Sequence, residues 1–404
     1  GGSTMINNQR RFLQRGGVSI FIVIFTALLV TIVTASFAQL MVRNQQQASA
    51  TDLSQSAYDS ALAGVEDAKR ALVKMQEYEN NGQDALADQI RDALDSQKCD
   101  SLGTPGAGVV TFKDGEVMVG KAEQNQAYSC VKVQLDTPDF KDDSVSPGVP
   151  TVVPLKSKSP FNSVRISWFT KTDLDKASSY TGVETASFPA NNGLLPSNGD
   201  DENGWPAYAP ALMRAQLIQF QKGNISLKEF NKKGTPDART LFLYPYNFGG
   251  STPGQRQFSV DTRRSTKDQN KPTLATCNDT FNEFNGYACQ VEIVLPSVGG
   301  GTREAYLQLQ TYYQQYTSFK VELVGDGGSI VNLNEVQPSV DSTGRASSLF
   351  RRVQANVSLR NDGVSLPYPD AALSVSGDLC KNYFITHKSA QYKTRPCGEA
   401  NPTE

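Results

Sequence analysis

Residues 18–40 read VSIFIVIFTALLVTIVTASFAQL, 23 consecutive positions without a charged side chain. As a helix rising about 1.5 Å per residue the run extends roughly 35 Å, enough for a hydrocarbon core of about 30 Å. Arg10, Arg11 and Arg15 precede it and Arg43 alone follows closely. That bias of basic residues predicts a cytoplasmic N-terminus and a chain that lies almost wholly beyond the membrane. A cleaved secretory signal is the competing reading, with Ser36-Phe37-Ala38 as the small-residue cleavage site. The apolar run before that site is longer than the usual core of about 7–15 residues.

The residues that follow extend the helix rather than end it. From Arg43 to Met75 there is no proline, and Gly64 is the one glycine. Leu53, Ala57, Ala61, Val65, Ala68, Leu72 and Met75 recur at steps of three and four, which draws one apolar stripe along a helix. Asp59, Glu66, Asp67, Lys69, Arg70 and Lys74 occupy the other faces. The spacing predicts a single helix over 18–75, apolar all round in its first half and on one face only in its second. The first half calls for lipid or neighbouring helices, the second for a globular body packed on one side.

A basic leader ending in glycine, followed by an apolar helix that runs on as an amphipathic one, resembles a type IV pilin. Arg15-Gly16-Gly17-Val18, with Ser56-Ala57-Tyr58-Asp59-Ser60-Ala61-Leu62-Ala63-Gly64-Val65-Glu66-Asp67-Ala68 downstream, is most similar to PilX-type pilus-assembly proteins. The resemblance covers about the first 75 residues. It implies a leader over 1–17 that prepilin peptidase removes after Gly16 or Gly17, so that the mature chain begins at Gly17 or Val18. Major pilins carry a glutamate at the fifth mature position. Counted from Val18 that position is Ile22, and the first acid in the chain is Asp52. The departure favours a minor or tip subunit, and it leaves a simple uncleaved anchor open.

The remainder changes regime. No proline occurs before Pro105, and all 20 lie from there on. The segment 83–94 reads as a short second helix, from Ala85, Leu86, Ile90, Ala93 and Leu94. Beyond it apolar residues alternate, as in Val131, Val133 and Leu135, and again in Val164, Ile166 and Trp168. Further runs at 288–295, 305–310, 319–323 and 353–359 are separated by Gly, Pro, Asn and Asp clusters. The expected fold is α+β: a long N-terminal helix, inserted in the membrane over 18–40, followed by an antiparallel β-rich extracellular region with disulfides. The expected divisions are a helix and first strands over 76–136, a Pro-rich linker or loop over 137–160, and a β-rich extracellular domain over 161–404. The linker reading rests on Pro138, Pro147, Pro150, Pro154 and Pro160.

Composition narrows the chemistry. Lys plus Arg number 39 against 41 Asp plus Glu, a balance unlike that of a general nucleic-acid binder. His387 is the one histidine, which excludes any metal site with two histidine ligands. No phosphate-binding, dinucleotide-binding or nucleophile-elbow pattern stands in the right context. Neither an enzyme, a cofactor nor a small-molecule substrate is expected. Six cysteines allow 15 connectivities. Their spacing suggests nearest-neighbour pairs: Cys99 with Cys130, Cys277 with Cys289, and Cys380 with Cys397. Zinc is the alternative, but no C-x-x-C occurs.

The stretch 380–397, CKNYFITHKSAQYKTRPC, holds Lys381, Lys388, Lys393 and Arg395 with Tyr383, Phe384 and Tyr392, and no acid. It reads either as a solvated loop stapled to the sheet or as a contact loop for polyanions such as DNA or a host-cell glycan. Phe281, Phe284 and Tyr287 form a second exposed candidate between Cys277 and Cys289. Small residues Ala27, Thr31 and Ala35, at spacing four, mark a face for close helix packing. The sequence points to a non-enzymatic pilus subunit, held in the inner membrane before assembly and then displayed on an extracellular filament. Its partners are other pilin subunits. The alternative is a single-pass surface adhesin that forms no filament.

Overall fold

The computed structural model describes residues 16–103, 108–120, 125–177, 209–221, 238–246, 256–257, 273–278, 281–296, 303–313 and 316–358. One helix, α1, runs unbroken from Gly16–Asn80. It is longer than the expected 18–75 at both ends, because no proline or capping residue interrupts it. A second helix, α2 (Asp84–Asp95), follows after a turn at Gly82, whose φ of 69° suits a residue without a Cβ. Ala87, Ile90 and Leu94 are its buried face.

Two β-sheets follow, and the chain visits them in an order that no local pattern reveals. The first sheet has four strands: β1 (Val117–Met118), β2 (Gln126–Gln134), β14 (Ser339–Ala346) and β15 (Leu349–Asn356), in that spatial order. All three pairings are antiparallel. The helices lie on this sheet. Val65, Ala68, Leu72 and Met75 of α1 join Ile90 and Leu94 of α2 and Tyr128, Val131, Val133 and Val340 of the sheet in one buried cluster. The stripe read from the sequence is therefore the docking face of α1, with Ala57 and Ala61 also fully buried. The disulfide Cys99–Cys130 ties the segment after α2 to β2.

The second sheet is inserted between β2 and β14. Its elements are β3 (Phe140–Val145), β4 (Thr151–Pro154), β5 (Ser163–Thr170), the short helix α3 (Lys171–Ala177), β6 (Leu212–Gln221), β7 (Ala238–Tyr246), β8 (Arg256–Gln257), β9 (Thr273–Cys277), β10 (Tyr287–Val294), β11 (Arg303–Tyr312), β12 (Thr317–Val324) and β13 (Ile330–Val331). The spatial order is β13-β12-β5-β10-β9-β7-β6-β11-β4, with β3 also on β12 and β8 also on β10. Pairing is antiparallel except for β7 with β9 and β8 with β10.

The ends of this order meet. β11 and β12 are joined by residues 313–316, yet they stand at opposite ends of the list. β3 extends the β12 edge and β4 the β11 edge, and only residues 146–150 separate them. Thr151 donates to the Asp142 carboxylate at 2.9 Å, and the Gly148 amide to Thr311 at 3.0 Å. The sheet thus curls into a barrel-like body. Alternate residues fill its interior: Val164, Ile166 and Trp168, then Met213, Ala215 and Leu217, Ala305, Leu307 and Leu309, and Phe319, Val321 and Leu323. The Trp168 indole N–H is satisfied by the Ala211 carbonyl at 3.0 Å.

Two expected divisions differ from this arrangement. The segment 137–160, expected as a linker or loop, contributes β3 and β4. Pro147 and Pro150 fall in the connection between them, Pro154 ends the edge strand β4, and Pro138 and Pro160 lie outside both strands, so no missing amide costs a ladder bond. The expected domain over 161–404 is cut by β14 and β15, which belong to the helix-bearing sheet.

The two sheets meet where residues 135–139 leave the first and 332–338 return to it. Thr137 and Leu333 bond each other's backbone at 3.2 and 2.8 Å. The Gln337 side chain donates to the Lys141 carbonyl at 2.7 Å and accepts from its amide at 2.8 Å. Asp136 accepts from Asn334 and Lys158, each at 2.8 Å. Arg91 of α2 holds Glu79, Asp88 and Glu335 together.

Candidate functional site: the projecting half of the long helix

The two halves of α1 have opposite surroundings. Every described side chain from 20 to 52 is exposed. Phe21 is 77% exposed, Phe25 67% and Met41 74%, so no part of the chain's own described body covers them. The projecting part, residues 16–52, extends about 55 Å. The exposed apolar surface over residues 20–42 is unfavourable in water at roughly 25 cal/mol per Å², and it marks an interaction surface. It is the one described helix long and apolar enough to cross a membrane.

Its polar atoms suit an apolar medium. Thr26 donates to the Ile22 carbonyl at 2.8 Å, Thr31 to Leu28 at 2.8 Å, Thr34 to Val30 at 2.8 Å and Ser36 to Ile32 at 2.8 Å. Each hydroxyl is satisfied within the helix, as lipid or a neighbouring helix requires. Ala27, Thr31 and Ala35 lie along one exposed stripe of this half. Gly16, Gly17 and Val18 form its first turn, whereas residues 1–15 of the expected leader over 1–17, with Arg10, Arg11 and Arg15, lie outside the described residues.

Docking begins at Leu53, which is half-buried, and at Ser54, whose hydroxyl accepts from Arg351 Nε at 2.8 Å. It is tightest at two glycines. A Cβ on Gly344 of β14 would stand 2.2 Å from the Ala57 carbonyl oxygen and 2.2 Å from the Ala61 nitrogen. A Cβ on Gly64 would stand 2.4 Å from Ser342 Oγ and 2.9 Å from Val131 Cγ2. The β14–β2 register also shifts between Thr343 and Gly344. Tyr128 donates to Asp67 at 2.7 Å across the same contact. Burial pushes its hydroxyl pKa up, and the Asp67 carboxylate pushes it further. On the far side, Arg345 grips both Glu116 oxygens at 2.8 and 2.6 Å, which holds the Glu116 carboxyl below its ordinary value.

The remaining sequence candidates divide. Cys99–Cys130 and Cys277–Cys289 are disulfides. Cys380, Cys397 and the contact-loop residues Lys381, Tyr383, Lys388, Tyr392, Lys393 and Arg395 lie outside the described residues. The aromatic trio between Cys277 and Cys289 is not an exposed patch. Phe284 and Tyr287 are buried, and Phe281 packs against the barrel core. Residues 281–286 lie against the barrel because β9 and β10 pair directly at Cys277 and Cys289. Among the described residues no three of His, Cys, Asp and Glu gather as a metal site. The contact between α1 and β14 escaped the sequence reading; Gly64, alone in an alanine-rich helix, was its one signal. No family model, curated protein or solved structure matches the chain.

Proposed function

We propose that this chain is a non-enzymatic subunit of a type IV pilus or a related filament, similar to PilX-type minor pilins. In this reading the projecting half of α1 sits in the inner membrane. It then exchanges lipid for the helices of neighbouring subunits as the filament grows. The four-stranded sheet carries the docked half, and the inserted barrel is displayed on the outside of the cell for adhesion or contact. One observation carries the reading: a single helix that is docked by small residues in one half and uncovered in the other, where residues 20–42 expose an apolar surface without a charge. A soluble body has no use for such a surface, whereas a helical bundle of copies does.

A single-pass adhesin that forms no filament would use the same helix as a tether, and Ile22 in place of a glutamate suits it. Replacing both Gly16 and Gly17 by alanine separates the two. A pilus subunit stays full length in the membrane and disappears from sheared filaments. A tether behaves like the unaltered protein. DNA or a surface glycan remains the proposed ligand class for the 380–397 loop. Titration of the protein against each, with and without Lys388→Ser, Lys393→Ser and Arg395→Ser, tests that part. A site using three or four basic residues weakens by roughly two orders of magnitude between 50 and 200 mM salt.

A further inference from the structure

The four-stranded sheet has one end turned toward the projecting half of α1. β14 runs back along the helix: Ser342 lies beside Gly64, and Gly344 beside Ala57 and Ala61. Arg351, on the returning strand β15, donates from Nε to Ser54 at 2.8 Å. The β14–β15 turn at Ser347 and Ser348 therefore lies at about the level of residue 51, on the side of the uncovered run. Met118, Arg345 and Phe350 stand in one cross-strand row near this end, on the face turned away from α1. Met118 is 44% and Phe350 57% exposed. The charges here sort unevenly. Arg345 is paired with Glu116, and Arg352 with Asp341. Arg351 is exposed, and among the described residues it bonds a hydroxyl rather than a carboxylate. Arg43 on α1 is exposed as well, and Asp52 is the one acid between it and Ser54.

We infer that this end of the sheet, led by Phe350 and Arg351, docks on the headgroup layer of the membrane that holds the projecting half, with anionic phospholipid preferred. The inference rests on the membrane placement proposed above and adds a second contact to it. Residues 18–42 carry no charge. As a helix they extend about 37 Å, against a hydrocarbon core of about 30 Å. Tilt takes up such an excess, and about 36° absorbs all of it, inside the range of roughly 0–40° that membrane helices show. The hairpin decides the direction. From Val42 to the level of the turn is about 14 Å of helix. On an upright helix the turn stands about 6–9 Å clear of a headgroup layer some 5–8 Å thick. That gap is narrower than a helix of about 10–12 Å, so lipid rather than a protein partner fills it. A tilt toward the sheet, whose layer lies about 10 Å from the helix axis, lowers the turn to about 5 Å above the hydrocarbon, within the headgroups. A tilt the other way lifts it clear. Phe350 then enters the interface and Arg351 meets lipid phosphate. Interfacial aromatic and basic side chains are the groups that fix the tilt of a membrane helix.

Fluorescence quenching in the full-length protein, reconstituted into vesicles of phosphatidylcholine and phosphatidylglycerol, tests this. A fluorophore at Ser348→Cys is read against a nitroxide on the lipid headgroup, with the unaltered protein as the labelling blank. Val149→Cys, exposed on the barrel, is the control. Quenching should be strong at 348 and slight at 149. Phe350→Ser with Arg351→Ser should bring the 348 signal down to the control level; both side chains are exposed, so the fold should survive. Vesicles of phosphatidylcholine alone should lower the ratio of docked to free protein about fivefold, the factor that about 1 kcal/mol for one basic residue produces. Quenching at 348 no greater than at 149, or unchanged by the double substitution or by removal of the anionic lipid, overturns the inference. A second fluorophore, at Val30→Cys, is read against a nitroxide deep in the acyl chains. Quenching at 30 with none at 348 leaves the membrane placement standing and rejects the headgroup contact. No quenching at 30 overturns the placement itself, and this contact with it.

Discussion

The two halves of α1 share one backbone and one helix, but their sequences answer to different partners. In the docked half, shape decides. Ala57, Ala61 and Gly64 are small because β14 and β2 approach the helix backbone itself. In the projecting half no described neighbour constrains shape, yet residues 18–42 carry no charge and the hydroxyls of Thr26, Thr31, Thr34 and Ser36 are internally bonded. Small residues in a docked segment thus report a partner within the chain. In the proposed filament, small residues of the projecting segment, such as Ala27 and Ala35, answer to a partner outside it.

That contrast is open to attack at Gly344 first. Gly344→Val should displace α1 from the sheet, because the new side chain meets helix backbone that cannot give way. A loss above about 4 kcal/mol, or failure to fold, is expected. Urea unfolding of the detergent-solubilised protein measures it, and a loss under 1 kcal/mol would mean that the helix slides freely on the sheet. Next, Cys99→Ser with Cys130→Ser releases the segment after α2 from β2. The bridge spans a sequence separation of 31. Its removal should cost about 3 kcal/mol by the same assay.

A smaller effect sharpens the docked side. Tyr128→Phe deletes one hydrogen bond to Asp67 and should cost about 1 kcal/mol. The pH dependence has a definite sign. Burial raises the Tyr128 pKa in the folded protein, so its contribution is complete below the unfolded value of about 10. It is lost as pH rises beyond that value. Melting temperature should therefore fall between pH 9 and 11, and fall less in the Phe variant. The smallest effect on stability belongs to the projecting half. Ala27→Leu with Ala35→Leu should change unfolding by less than about 0.5 kcal/mol, since both sites are exposed. Filament yield should nonetheless collapse if that stripe packs against a copy.

The sequence made the helix legible because its signal is local. Leu72 and Met75 need only their neighbours three and four positions away to define a face. The strand runs were legible for the same reason. Their pairing was not: Val340 opposes Val133 across some two hundred residues of intervening chain, and period-two alternation carries no address. Pro147 and Pro150 disguised β3 and β4, which are edge strands joined through a proline-bearing connection. Phe284 and Tyr287 looked exposed because loop aromatics carry no sign of what they fold back upon. Gly344 looked like an ordinary strand glycine, since the atoms that forbid its side chain belong to a helix nearly three hundred residues earlier.

The central claim is that the projecting half of α1 is an assembly element released from a leader. The N-terminal mass of the protein recovered from sheared filaments tests it most directly. The expected result is a chain that begins at Gly17 or Val18 and is present in the sheared fraction. A chain found only in membranes with its leader intact, or one that begins at Gln39 after loss of the whole apolar run, would contradict it.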